Sequence, residues 1–267
     1  AMVAAKPGLV LDRVIGPMRY LKSEAELALT EQAAHFADSG LEVARAAVAD
    51  GIHTGITELD VVQIVQRETT AKMRAELDEL INFYRGAVAL TAHTGPRAAL
   101  PHGQPGPVTI QPGDALIVGI GVKVGGYHAE SGCTFIVGEP SADQRRCLEA
   151  TWACDEAAVA ALVAGNSCRA VNEAAWAVLE DAGYSDFIRH RIGHGMGVEG
   201  HEAPWLSVGD ETILAPTMML SNEPGIYRPG IDGYRIIDSM VVTEEGAGRR
   251  LSRYLSEHGP DDRVIEI

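Results

Sequence analysis

The run from Arg191 to Pro204, RIGHGMGVEGHEAP, sets His194 between two glycines and follows it seven residues later with His201, then Glu202 and Pro204. Glycines on both sides let the backbone turn tightly and bring an imidazole close to a ligand or a metal ion. Farther along, SNEPGIYRPGIDGYRIID places Glu223 ahead of a Pro-Gly turn. Two imidazoles and a carboxylate beside short strands can move protons or donate lone pairs to a metal. Upstream, His102 sits in LPHGQPG, a loop rich in Pro and Gly, and Glu130 sits in YHAES. An imidazole can both take and return a proton near neutral pH, the property a general acid–base needs. Plainer readings stand beside these. His102 could be a loop histidine bonded to backbone, Glu130 a solvated strand residue, and His194 and His201 satisfied core histidines.

Such groups need elements to hold them. Ser23 with Glu26 forms a capping box, and Leu27, Ala34, Leu41 and Ala47 mark one face of a long helix ending near Gly51. A second helix is predicted after Gly55-Ile56-Thr57, running to about Leu80. From Asn82 to Val137 short β-rich runs broken by Gly and Pro predict an antiparallel meander. Ser141 opens a third helix through Val163, Cys168–Leu179 reads as a fourth, and strands return from Phe187 to the end. The order helix, helix, strands thus occurs twice, which predicts a duplicated unit whose helices cover a curved antiparallel sheet. Residues 1–22 read as a lead-in segment and residues 23–267 as one domain, with halves at about 23–138 and 139–250. The Ala1-Met2 start has the look of a cloning remnant, which leaves room for residues upstream.

Composition bounds the function. The chain has 267 residues, 46% of them hydrophobic and 22% charged, an ordinary globular balance with length enough for a large core. A net charge of -15 and a pI near 5.0 argue against nucleic acid and anionic membrane as partners. Cys133, Cys147, Cys154 and Cys168 lack CxxC spacing and read as reduced thiols of a cytoplasmic protein. No stretch reaches the length of a membrane span. No Walker loop occurs, and Gly119, Gly121, Gly125 and Gly126 open no helix, so a dinucleotide fingerprint is not credible.

Taken in order, RYLKSEAEL, ALPHG, the paired-strand segment, GHGMG, HEAP, NEPGIY and GYRIID resemble the pita-bread family that contains methionine aminopeptidase, aminopeptidase P, prolidase and creatinase. The resemblance covers nearly the whole chain. It implies an α+β pita-bread (creatinase/aminopeptidase) fold with pseudo-two-fold halves, and a homodimer. The amino-terminal domain that creatinase and prolidase carry has no counterpart here.

Metallopeptidases of that family use two aspartates, one histidine and two glutamates to hold two metal ions. On this resemblance the histidine is His194 and the first glutamate is Glu223. The aspartate positions fall on Gly119 and Glu130, the last glutamate falls on Ile237, and an arginine usually found nearby is Cys133. Glycine and isoleucine have no donor atom, so a pair of ions sharing carboxylates is not expected. The resemblance to creatinase, which also has glutamate at this position and works without metal, implies a metal-independent hydrolase of a C–N bond, or a lyase, needing no cofactor. Its catalytic residues would be His102, Glu130 and Glu223. His194, His201, Tyr234 and Arg235 would bind a small cationic or amino-acid-like substrate. One alternative is a Xaa-Pro-type aminopeptidase or dipeptidase acting on short peptides with one divalent ion held by Glu130, His194 and Glu223. Another is a non-catalytic member that binds peptides or partner proteins.

Overall fold

The computed structural model describes residues 15–267, so the expected lead-in segment 1–22 lies outside it up to residue 14. A short helix α1 (Ile15–Met18) precedes the long α2 (Glu24–Gly51). Ser23 starts α2 as its sequence predicts: its hydroxyl accepts from the Glu26 amide, and the Glu26 carboxylate accepts from the Ser23 amide at 2.7 Å. Small residues on one face, Ala33, Ala34, Ala37 and Ala44, let α2 lie close against the sheet, with Phe36 and Leu41 filling the gaps. The next helix, α3 (Glu58–Glu76), ends earlier than the predicted Leu80. Leu77 is extended there, and Asp78 accepts from the Ile81 amide to start a separate short helix, α4 (Glu79–Phe83).

The strands β1 (Gly86–Thr94), β2 (Ala115–Val124) and β3 (Tyr127–Val137) form the predicted antiparallel meander. Two helices follow, α5 (Ala142–Ala161) and α6 (Cys168–Asp181). The second group of strands is β4 (Gly193–Gly195), β5 (Glu202–Leu206), β6 (Met219–Asn222), β7 (Gly225–Arg228), β8 (Asp232–Arg235), β9 (Ile237–Val241) and β10 (Arg249–Arg250). Helix α7 (Arg253–Glu257) and strand β11 (Val264–Ile265) close the chain. The main sheet runs β1-β2-β3-β9-β6-β4-β5, with β10 beside β9 and β11 parallel to β3, while β7 and β8 make a separate hairpin.

One seam matters for the site. Strands β3 and β9 join the two groups of strands, pairing Ser131 with Asp238 and Gly132 with Ile237. Beneath it Arg250 bridges two fully buried carboxylates, at 2.6 Å from Asp155 and 2.6 Å from Asp238, and Asn222 donates to Asp155 at 2.6 Å. All four cysteines are buried and free. Among the described residues no helix is long and apolar enough to cross a membrane.

Candidate active site

A single row of residues crosses four strands. Thr91 on β1 faces Gly119 on β2, Gly119 faces Gly132 on β3, and Gly132 faces Ile237 on β9. Directly opposed residues of antiparallel strands put their side chains on one face. The two glycines leave that face bare, and the Ile237 side chain lies across it. A Cβ at Gly119 would meet Ile237 Cδ1 at 2.5 Å, and one at Gly132 would meet it at 2.7 Å. Two residues before Gly132 on β3, and therefore on the same face, comes Glu130. Its backbone is pinned by Ser239, whose hydroxyl accepts from the Glu130 amide and donates to the Glu130 carbonyl, both at 2.8 Å.

Strand β4 brings in the histidine. It threads between β5 and β6 so closely that a Cβ at Gly193 would stand 1.9 Å from the Ser221 carbonyl oxygen, and one at Gly195 2.6 Å from that of Ala203. The glycines around His194 are thus demanded by backbone approach. His194 Nδ1 donates to the Gly195 carbonyl at 2.9 Å, which directs Nε2 at Glu223 Oε1, 2.7 Å away, with Glu130 Oε1 at 3.7 Å. The Ser221 hydroxyl touches Glu130 and sits 3.0 Å from Glu223 Oε1.

The charges of this floor follow from its burial. Burial, and then the neighbouring charge of Glu223, push Glu130 up to about 8, so its carboxyl keeps a proton at neutral pH. A hydroxyl has one proton to give, so the consistent chain is Glu130 donating to Ser221 and Ser221 donating to Glu223. Burial alone would lower His194 and raise Glu223. Their mutual hydrogen bond and attraction prevail, holding His194 up to about 9 and Glu223 well below the usual carboxylate range.

Above the floor opens a cleft of about 220 Å³, lined by His102, Glu130, His201, Glu223, Arg235 and Ile237 among others. Six of the seven residues singled out in the sequence therefore come together: His102, Glu130, His194, His201, Glu223 and Arg235. His201 stacks on His194 with ring centroids 4.0 Å apart and an interplanar angle of 29°. The loop carrying His102 is held on both sides, Arg235 donating to the Pro101 carbonyl at 2.9 Å and His93 Nε2 to the Gly103 carbonyl at 2.5 Å.

Tyr234 is the exception. Its hydroxyl donates to Asp232 at 2.6 Å, its ring lies under the Arg228 guanidinium, and it belongs to the core between α5, α6 and the sheet rather than to the cleft. The small cationic substrate expected in this pocket would meet carboxyl groups that already have a cation beside them. His194 already supplies the positive charge beside both carboxylates, and Glu130 holds a proton. Three residues not singled out in the sequence belong here. Ser221 could have been found two positions before Glu223, where strand alternation puts both on one face. His93 gives no such signal, because only the fold brings β1 under the Gly103 turn. His190, four residues before His194, is bonded through Nε2 to the Tyr227 hydroxyl at 2.7 Å.

Among the described residues one donor set could hold a metal ion. His194, His201 and Glu223 each offer a ligand atom, all within 4.8 Å of one another. At Gly119 and Ile237 no donor exists, and the isoleucine methyl covers the space between β2 and β3 that a second ion's ligands would need.

Comparison with known proteins gives the chain a family. The profile of metallopeptidase family M24 matches residues 28–244. The Xaa-Pro dipeptidase of Pyrococcus furiosus is 31% identical over 90% of this chain and 65% of its own length. The probable dipeptidase PepE of Mycobacterium tuberculosis is 34% identical over 90% of this chain and 60% of its own. Among solved structures, dipeptidase PepE from Mycobacterium ulcerans superimposes with a TM-score of 0.82 at 31% identity, covering 94% of this chain and 63% of that one. The chain therefore spans less than two thirds of the length of these relatives. The likeness makes the fold the pita-bread α+β fold. It also overturns the expectation of a cofactor-free pocket: the matching family is one of metallopeptidases, and three residues here are placed to hold an ion.

Proposed function

The chain belongs to metallopeptidase family M24, and from that premise we propose that it is a Xaa-Pro-type dipeptidase or aminopeptidase that cleaves short peptides with a single divalent metal ion. The observation that carries this reading is the convergence of His194, Glu223 and Glu130 at the floor of a cleft whose opposite wall, Gly119 and Ile237, has no donor. A bound divalent ion would act as a Lewis acid on the peptide carbonyl.

The rest of the work falls to side chains. The Gly195 carbonyl fixes the His194 tautomer, leaving Nε2 with its lone pair toward the cleft once the proton shared with Glu223 is gone. Arg235 is buried, its Nε has no partner, and its guanidinium faces the cleft, where it offers a charge to the substrate carboxylate. The nitrogen of an Xaa-Pro bond carries no hydrogen and must gain a proton to leave. His102, exposed on a loop pinned at Pro101 and Gly103, is placed to deliver it. Ile237 and Gly119 form an apolar wall against which a proline ring can lie.

The test is hydrolysis of Xaa-Pro and proline-free dipeptides by chelator-treated protein reloaded stepwise with Zn2+, Mn2+ or Co2+. Activity is expected to appear with metal and to saturate at one equivalent. His102→Ala is expected to lower kcat by about 10²–10⁴-fold. Full activity in the stripped protein, or no cleavage of any dipeptide in the loaded one, would sink the proposal.

A further inference from the structure

We infer that His201 is a metal ligand, completing with His194 and Glu223 a three-ligand site open toward the cleft mouth. This rests on the single-metal reading above and goes beyond it, because the ligand set implied by the family resemblance contains one histidine and no residue at position 201.

The inner side of the site is closed. Ile237 Cδ1 lies over Gly119 and Gly132, so nothing on β2 or β9 can donate from there. An ion bound by His194 Nε2 and Glu223 therefore has two sources of further donors, Glu130, whose carboxyl is engaged with Ser221, and the open side of the cleft. His201 occupies that side, stacked on His194 at 4.0 Å. Among the described residues neither ring nitrogen of His201 has a hydrogen-bond partner, whereas His194 Nδ1 is fixed by the Gly195 carbonyl. An exposed imidazole without hydrogen bonds can turn at the cost of its stacking on His194 alone. The required movement is small. Two nitrogens at about 2.0–2.1 Å from a tetrahedral ion stand about 3.3 Å apart, and the three ligand atoms here lie within 4.8 Å before any ion draws them in.

Two imidazoles and one carboxylate with a fourth position free is the pattern of catalytic zinc sites, and the nitrogen-rich set favours Zn2+ or Co2+ over Mg2+ or Ca2+. Glu130, bonded to Ser221, then sits beside the ion rather than having to reach it with a side chain one methylene longer than aspartate.

Titration of the chelator-treated protein with Co2+, followed by its visible d–d absorption and by calorimetry, tests the assignment without any activity assay. The unaltered protein should bind one equivalent with the intense bands of low coordination number. His201→Ala should bind at least about 100-fold more weakly, with weaker bands, while its metal-free melting temperature changes little, because the exposed ring gives up only its stacking on His194. His201→Gln, nearer in size, serves as the second variant and should lose the same affinity. Undiminished Co2+ binding with unchanged bands in both variants would overturn the role of His201 and leave the single-metal reading standing. An unaltered protein that binds no Co2+, or two equivalents, would overturn that reading and the inference with it.

Discussion

His194 is the residue on which the charge balance of the floor turns. It faces two carboxylates, one ionised and one protonated, and the metal-free protein must hold its own proton there in place of an ion. The consequence for stability has a definite sign. His194 is held up to about 9 from an ordinary 6.5, so its contribution is complete below pH 6.5 and is lost as pH climbs through 9. Glu130 is pushed up to about 8 from an ordinary 4.5, so between those values the folded state keeps a proton the unfolded chain has shed, and stability again falls with rising pH. Glu223, held low, adds stability above its unfolded value and loses it only in acid. Chelator-treated protein is therefore expected to show a urea midpoint that declines from pH 5 to pH 9, and Glu130→Gln should flatten the stretch between about 4.5 and 8. A Glu130→Gln profile parallel to that of the parent would refute the assignment of the proton to Glu130.

At the scale of elements, the row across β1, β2, β3 and β9 decides what the cleft can hold. Gly119→Asp alone adds a side chain where Ile237 Cδ1 already lies 2.5 Å from the new Cβ, so it should destabilise by about 1–3 kcal/mol through overpacking. Combining it with Ile237→Glu removes that obstacle and supplies two carboxylates. The double variant is expected to bind a second equivalent of metal and to gain more in melting temperature on metal addition than the parent does. A folded double variant that still takes one equivalent would mean that these positions do not face a second ion. Much of this row was legible in the sequence, because glycine and isoleucine simply lack donors. The way Ile237 covers Gly132 was not, since the β3–β9 register joins residues more than a hundred positions apart. Tyr234 was misread for a simpler reason. Tyr234 and Arg235 are neighbours on one strand and point to opposite faces, so only one of them could enter the cleft. The helices were legible almost to the residue where capping boxes mark them, at Ser23, Thr57 and Ser141. The end of α3 was not, because Asp78 begins a new cap only once Leu77 is extended.

At the scale of the whole molecule, the floor is suspended between two helix-covered groups of strands that meet at the β3–β9 seam, and on the second group's side of that seam Arg250 ties α5 to β9. Its guanidinium on β10 reaches Asp155 on α5 and Asp238 on β9, both wholly buried. Each partner is adjacent to the site: Asp238 follows Ile237, and Asn222, bonded to Asp155, precedes Glu223. Removing the cation leaves two buried carboxylates facing each other, and burial already pushes Asp238 up to about 8 and Asp155 up to about 6 with the arginine present. Breaking a buried ion pair from one side costs about 3–5 kcal/mol, whereas removing every charge of the group costs far less. Arg250→Ala is accordingly expected to lose about 3–5 kcal/mol of unfolding free energy by urea denaturation, at the low end of that range at acid pH, where both carboxyls take up protons. Adding Asp155→Asn and Asp238→Asn to Arg250→Ala should recover most of the loss, since the only charge then left without its arginine is that of the exposed Glu156. If the triple variant is no more stable than Arg250→Ala, the knot acts through the guanidinium lying over the Trp152 ring, 5.4 Å from its centre, rather than through its ion pairs.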